Sequence, residues 1–545
     1  MSTTSHDGDT PAADAFASPD ILAALLDSCD RTPQAPAMTL GRRTLSYGQL
    51  RDRILGVADA LTAEGFAPGD RVLFSVRPGL DGICLALGVI AAGGTIVFAD
   101  PGAGESLFRA RAGLAAPQWV AAEALLYAAS AGPLARVARS RGLELPDYSS
   151  VVPYARHIFA GSWLPGVPRG STALRRLLRT RTVQHSASRA LPSRSHLRGD
   201  VTREALVIFT SGTTGNPKAV VHSRLSLGAG LDGFAQRVGF VAGERLLTDQ
   251  LMVGIPALIS GAHWELPPAG ADPGAKPRAY LRLLPRADVL FAVPAALDAM
   301  LRMLERRPEL TPTLRALLIG GAPVLRPLLT RARSQLPHTT ISAIYGMTEV
   351  LPVAIADGDD KLAWTETGDF VGTLMDSVTV RIDDGELVVS GPGIALCYLG
   401  QPPLAELRTG DLARVDGSRL ILSGRSKDMF IRGTTNVYPG LYEPIIAGIA
   451  GVEQAAMVGI PDEVGDDAIV LAIVPGADFD EAALTRALPG LIDAAVLPDR
   501  IQILDALPTS GRNSKLNRAA LARLVADKLT DTASAASGNR KTPPQ

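Results

Sequence analysis

Short apolar runs recur along the chain, and amphipathic or turn-rich stretches separate them. Arg71-Val72-Leu73-Phe74-Ser75, Thr95-Ile96-Val97-Phe98, Ala205 to Thr210, Val289 to Val293 and Ala316 to Ile319 read as strands covered on both faces. Strands of this kind alternating with helices predict an α/β fold with a largely parallel sheet. Nearer the front, Ala37 to Leu40 and Thr44-Leu45 read as a hairpin closed by Gly41-Arg42-Arg43. Ser46-x-x-Gln49 has the spacing of a capping box, opening a helix that runs to about Glu64, where Gly65 can stop it. Gly82 to Ala99 is uncharged over about the length of a membrane span, yet Gly93-Gly94 divides it. A buried helix, a glycine turn and a buried strand are expected there instead. Further on, Val378 to Arg381 and Glu386 to Ser390 predict a hairpin around Asp383-Asp384-Gly385, and Leu420-Ile421-Leu422 one more strand.

With 545 residues the chain is longer than one core usually serves. The pattern restarts after Gly424-Arg425-Ser426-Lys427-Asp428 as a compact α+β unit. The expected organisation is a disordered tail over 1–20, a large N-terminal domain over 21–423, a small mobile C-terminal domain over 424–528, and a Ser/Ala/Pro/Lys-rich disordered tail over 529–545. Residues 148–199 carry no Asp or Glu and many arginines, among them Arg175, Arg176, Arg179, Arg181, Arg189, Arg194 and Arg198. That stretch reads as a surface loop or peripheral helix, with a basic face that could meet a membrane surface or an acidic acyl-carrier protein.

A net charge of −1 and 5% aromatic residues leave neither an electrostatic nor a stacking case for nucleic acid. Cys29, Cys84 and Cys397 are too scattered for a disulfide framework or a zinc cluster, and Met1 to Pro19 lacks the apolar core of a secretory signal. A reducing, cytoplasmic setting is expected.

Ile208-Phe209-Thr210-Ser211-Gly212-Thr213-Thr214-Gly215-Asn216-Pro217-Lys218 runs from an apolar strand into a loop of small hydroxyl and glycine residues closed by a lysine. Glycines let backbone N–H groups turn toward an anion, hydroxyls add donors, and the ammonium adds charge. The run is a candidate phosphate cradle, with spacing unlike a Walker A loop. Gly320-Gly321-Ala322-Pro323 is a turn at the end of a strand. Tyr345-Gly346-Met347-Thr348-Glu349 combines an aromatic able to stack on a purine, a hydroxyl for a phosphate and a carboxylate for Mg²⁺. Asp411, in Thr409-Gly410-Asp411, is a carboxylate able to accept two hydrogen bonds at once.

Taken in order, these motifs resemble those of the acyl-adenylate-forming superfamily, which includes acyl-CoA synthetases, luciferases and peptide-synthetase adenylation domains. The resemblance covers roughly residues 21 to 525. It implies ATP and Mg²⁺ as cofactors and a carboxylic acid converted to acyl-AMP. Thr210, Ser211, Gly212, Thr213, Thr214, Gly215 and Lys218 would hold phosphates, and Gly320, Gly321 and Ala322 would lie against adenine. Tyr345 and Gly346 would meet the purine, Thr348 a phosphate, Glu349 the metal, Asp411 the ribose and Arg425 the nucleotide. Lys427 falls at the superfamily's hinge between two domain orientations. Lys515, in Pro508 to Arg518, aligns with its mobile catalytic lysine, although Asn513-Ser514-Lys515 replaces the usual Ser-Gly-Lys.

For the second half-reaction the motifs divide. Asp428 to Gly433 and Asn436 to Pro439 resemble acyl-CoA ligases, which implies CoA as second substrate, but Thr434 replaces the second glycine of their Gly-Gly pair. Asp100-Pro101-Gly102-Ala103-Gly104, Glu349 to Val353 and Asn513-Ser514-Lys515 resemble β-lactone synthetases, in which the acid's own hydroxyl displaces AMP. A non-catalytic AMP-binding protein is the remaining alternative. An apolar acid pocket is expected between Leu225 and Val353, lined by Met252, Val253, Ile255, Leu351 and Val353, with no carboxylate placed for an amino group.

Overall fold

The computed structural model describes residues 20–537 except 142, 144, 180–192, 211–217, 323, 325, 367–368, 426–429, 434, 438, 448, 462–465, 477 and 511–514. The expected tail over 1–20 lies almost entirely outside them.

Two large sheets carry the N-terminal domain. The first has eight strands among the described residues and is mostly parallel, with Thr95–Phe98 and Arg71–Ser75 at its centre. Glu204–Thr210 pairs parallel with Thr95–Phe98, and Lys218–Ser223 returns antiparallel beside it. The two residues Cys397–Tyr398 close that edge against Val220 and Val221. The second sheet has thirteen strands; Val289–Ala292, Ala316–Gly320 and Thr340–Met347 run parallel in it, and Val350–Asp357 turns back antiparallel.

The local signals act as expected. Ser46 and Gln49 form both bonds of the capping box at the start of the helix Tyr47–Ala63. The apolar stretch forms the helix Leu80–Ala91, a turn with Gly93 at φ +83° and the buried strand Thr95–Phe98. No described helix is long and apolar enough to cross a membrane. Asp384 and Gly385, at φ +51° and +81°, close the hairpin of Thr379–Asp383 and Glu386–Ser390, the left-handed geometry that Asp-Gly tolerates.

Helices fill the space between the sheets. Arg224–Val238 approaches the second sheet so closely that a Cβ on Gly230 would stand 2.3 Å from the Leu351 carbonyl oxygen. Leu251–Ile259 approaches Trp264 in the same way through Gly254, whose added Cβ would meet the indole at 2.2 Å. Trp264 is fully buried and donates its N–H to the Thr248 carbonyl at 2.8 Å.

Two expectations are corrected. The arginine-rich segment is more than a loop or peripheral helix: Arg156–Ala160 is a strand paired parallel with Trp119–Glu123, and Thr172–Ala173 pairs with it in turn. Ile158 and Phe159 are buried in that strand, a short apolar run hidden among charges. Part of the basic charge is also neutralised internally. Arg156 stacks on Trp119 at 4.5 Å, Arg156 and Arg176 pair with Glu64, and Arg198 pairs with Asp59. At the other end, the helix Arg518–Ser537 extends through residues 529–537, where a disordered tail was expected. Its alanines favour helix.

The small C-terminal domain holds the sheet Val452–Pro461, Asp467–Pro475 and Arg500–Ile503. It meets the large domain through a buried ion pair. Arg111, on the helix Glu105–Ala115, donates to Asp493 at 2.9 Å, and both side chains are about nine-tenths buried. Close by, a Cβ on Gly104 would lie 3.5 Å from the Gly490 carbonyl oxygen.

Candidate active site

The site forms where the two sheets meet. Thr340–Met347 carries Tyr345 toward the turn before Val350–Asp357, and the Leu407–Asp416 strand brings Asp411 opposite. Tyr345 donates its hydroxyl to Asp411 Oδ2 at 2.5 Å, across 66 residues of sequence. Asp411 is itself buried and registers with Arg425 in the neighbouring strand Arg419–Arg425. The Thr409 hydroxyl bonds to the Leu387 carbonyl and accepts from the Asp411 N–H, which fixes the turn that presents Asp411. The Tyr345 ring, the Asp411 carboxylate and the backbone of Arg425 are therefore brought together.

Thr348 and Glu349 occupy the tight turn after Met347. His222 supports that turn from the first sheet: its Nε2–H donates to the Thr348 carbonyl at 2.7 Å, while Nδ1 accepts from Ser226. Glu349 accepts a bond from Tyr398 at 2.8 Å, and its carbonyl accepts from the Ala395 N–H. Lys218, at the start of Lys218–Ser223, places its ammonium 5.1 Å from the centroid of the Tyr398 ring. Thr210 ends the preceding strand and bonds to the Lys218 carbonyl at 3.4 Å. Gly320 ends Ala316–Gly320 and is buried, and Gly321 follows at φ +85° with Ala322 half-buried. Gly346 sits where a Cβ would come within 3.1 Å of the Val350 carbonyl oxygen.

Ser211, Gly212, Thr213, Thr214, Gly215 and the hinge candidate Lys427 lie outside the described residues. Lys515 lies in a small hairpin, its backbone paired with Ser510. No cluster of three His, Cys, Asp or Glu side chains able to hold a metal occurs among the described residues. A single carboxylate, Glu349, suits Mg²⁺, which takes one or two protein oxygens together with phosphates and water.

The expected acid pocket divides in two. Val253 and Val353 are packed into the core between the Arg224–Val238 helix and the second sheet. Met252 and Ile255 instead line a small apolar cavity of about 40 Å³ with Leu22, Leu87, Leu206 and Leu227. Sequence reasoning missed Tyr398 and His222, because their partners Glu349 and Thr348 are 49 and 126 residues away.

Burial holds the imidazoles of His157, His222 and His263 below their usual range. Unfolded histidines titrate near 6.5, so the unfolded chain takes up these protons first as pH falls. Stability is expected to be fully present above about pH 6.5 and to decline below it, by at most about 1.4 kcal/mol per group and pH unit. Urea unfolding at pH 7.5 and 5.5 checks this, and His222→Gln should flatten the slope. A pH-independent midpoint would rule out the assignment.

Two sheets meet at Tyr345, Asp411 and Glu349, and a small C-terminal domain packs against the large one. A family model described as AMP-binding enzyme matches residues 25–399, and one described as AMP-binding enzyme C-terminal domain matches 442–515. The chain belongs to the AMP-binding enzyme family. It is 29% identical over 514 residues to a 3-[(3aS,4S,7aS)-7a-methyl-1,5-dioxo-octahydro-1H-inden-4-yl]propanoyl:CoA ligase of Mycobacterium tuberculosis, covering 89% of this chain and 95% of that one. It is 28% identical to a feruloyl-CoA synthase of Amycolatopsis over 88% of this chain and 94% of that one. The amide bond synthetase McbA of Marinactinospora thermotolerans shares the fold, with a TM-score of 0.73 at 23% identity over 92% of this chain and 99% of that one.

Proposed function

We propose that this enzyme activates a hydrophobic carboxylic acid, fatty or polyketide-like, with ATP and Mg²⁺. The products of that step are acyl-AMP and pyrophosphate, and the acyl group then passes to CoA as a thioester. The observation that supports the reading is the Tyr345–Asp411 bond, which holds an aromatic ring and a buried carboxylate together as one unit. In this reading the substrate carboxylate attacks the α-phosphorus in line as the bond to pyrophosphate breaks. Lys218 and the 211–217 loop hold the leaving phosphates, and the Thr348 hydroxyl binds a phosphate oxygen. Lys515 enters to neutralise charge between carboxylate and α-phosphate. Mg²⁺ at Glu349 would supply charge neutralisation on the phosphates. The substrate brings the nucleophile, so the chain needs none.

The apolar side chains around Met252 and Ile255 support a hydrophobic acid. The two CoA-ligase relatives support the thioester, and the remaining exposed arginines of 148–199 leave an acyl-carrier protein or membrane surface as a candidate partner. The rival outcome is lactone synthesis, in which an internal hydroxyl gains the advantage of proximity, less the strain of a four-membered ring. It rests on the likeness of Asp100 to Gly104, Glu349 to Val353 and Asn513-Ser514-Lys515, the first of which ends at the interface with the small domain.

Mass spectrometry distinguishes the two. Enzyme and Mg-ATP are incubated with a fatty acid, or with a 2-alkyl-3-hydroxy acid, each with and without CoA. The expected result is a CoA-dependent thioester with one AMP per product. A product one water lighter than the hydroxy acid, formed without CoA, would make the enzyme a β-lactone synthetase. No AMP with either acid would favour a non-catalytic AMP-binding protein.

A further inference from the structure

We infer that Tyr398 is a positioning residue that keeps the metal-site carboxylate Glu349 and the phosphate-loop lysine Lys218 from pairing with each other before Mg-ATP binds. The placement is unusual for so short an element. Cys397–Tyr398 is a two-residue strand of the first sheet, yet the chain just before it belongs to the second-sheet turn. Ala395 donates to the Glu349 carbonyl at 2.8 Å and Ile394 bridges Val350, whereas Leu396 and Leu399 donate to Val221 and Ala219. The segment is a strap across the seam that carries the site.

Tyr398 uses both of its chemical faces there. Its hydroxyl donates to Glu349 Oε1 at 2.8 Å, and its ring holds the Lys218 ammonium 5.1 Å from the centroid. A lysine and a glutamate facing one site would otherwise attract each other, and the half-buried surroundings would strengthen that attraction. Among the described residues no ion pair joins Lys218 and Glu349. A cation–π contact replaces it on one side and a hydrogen bond on the other. The ammonium therefore remains available to phosphate, and Glu349 keeps its second oxygen for the metal. The hydroxyl also limits how the carboxylate can rotate.

This inference rests on the adenylation reading, and the test separates the two. Mn²⁺ serves as a spectroscopic stand-in for Mg²⁺: electron paramagnetic resonance reads its binding to the enzyme–ATP complex, and calorimetry reads metal-free ATP binding. If the parent fails to bind Mn-ATP, the adenylation reading fails. Tyr398→Phe keeps the ring and loses the hydroxyl, so Mn²⁺ affinity should fall about tenfold while metal-free ATP binding stays near the parental value. Tyr398→Leu removes both contacts and should weaken metal-free ATP binding too, because Lys218 can then pair with Glu349. Adding Glu349→Gln should restore more ATP affinity in the Tyr398→Leu background than in the parental one. Thermal unfolding establishes that each variant is folded. Parental Mn²⁺ affinity in folded Tyr398→Phe, or equal gains from Glu349→Gln in the two backgrounds, would overturn the inference.

Discussion

Lys515→Ala is expected to lower acid-dependent exchange of labelled pyrophosphate into ATP by about two to three orders of magnitude, the loss typical of a transition-state charge donor. The side chain comes from a hairpin of the small domain, paired through Ser510, so its removal should not disturb the Tyr345–Asp411 and Glu349 machinery of the large domain. Consumption of supplied acyl-AMP should consequently survive better than its formation. Parental exchange in the variant would show that another cation serves the α-phosphate.

Lys427→Pro should act on the other half of the cycle. Arg419–Arg425 belongs to the thirteen-stranded sheet, whereas Phe430–Arg432 pairs with Thr435–Val437 in a separate small one. The covalent link between them passes through residues 426–429. Proline fixes φ near −65° and removes an N–H, so rotation about this link should be hindered. The second half-reaction is expected to slow by roughly tenfold or more while adenylation changes less. Single-turnover measurement of each step, in a variant whose unfolding midpoint is parental, is the check. Equal losses in both steps would place the hinge elsewhere.

Much of the architecture was legible because its determinants are local. The capping box at Ser46 spans four residues, the Asp384-Gly385 turn two, and the buried strands announce themselves as apolar runs. The site motifs were legible for a different reason: Tyr345 to Glu349 and Thr409 to Asp411 each put several unlike chemical groups into a few residues. The chain pattern hid whatever depends on distant partners. Tyr398 sits in a strand too short to have a period, and Arg111 and Asp493 are 382 residues apart. The strand Arg156–Ala160 was masked by the charge around it, since its outermost residue is an arginine that stacks on Trp119 instead of facing solvent alone. The acid pocket was misjudged because neighbours on one helix, Met252 and Val253, point to different compartments.

The seam between the domains carries a consequence of its own. Arg111 and Asp493 meet out of water, burial pushes the Asp493 carboxyl upward, and Arg111 Nε has no partner while the guanidinium rests 5.6 Å from the Phe209 ring. Such a pair gains little over its own hydration, because each charge gave up water to make the contact. When the halves part, both ions can be rehydrated, and that recovery offsets most of what the contact contributed. An oily seam of equal area would behave differently, since opening it would expose surface that water penalises throughout. The join at Arg111 is therefore one that costs little to open. Phe209, one residue before Thr210, lies on the same side of the seam as Arg111, so its ring keeps the guanidinium when Asp493 withdraws.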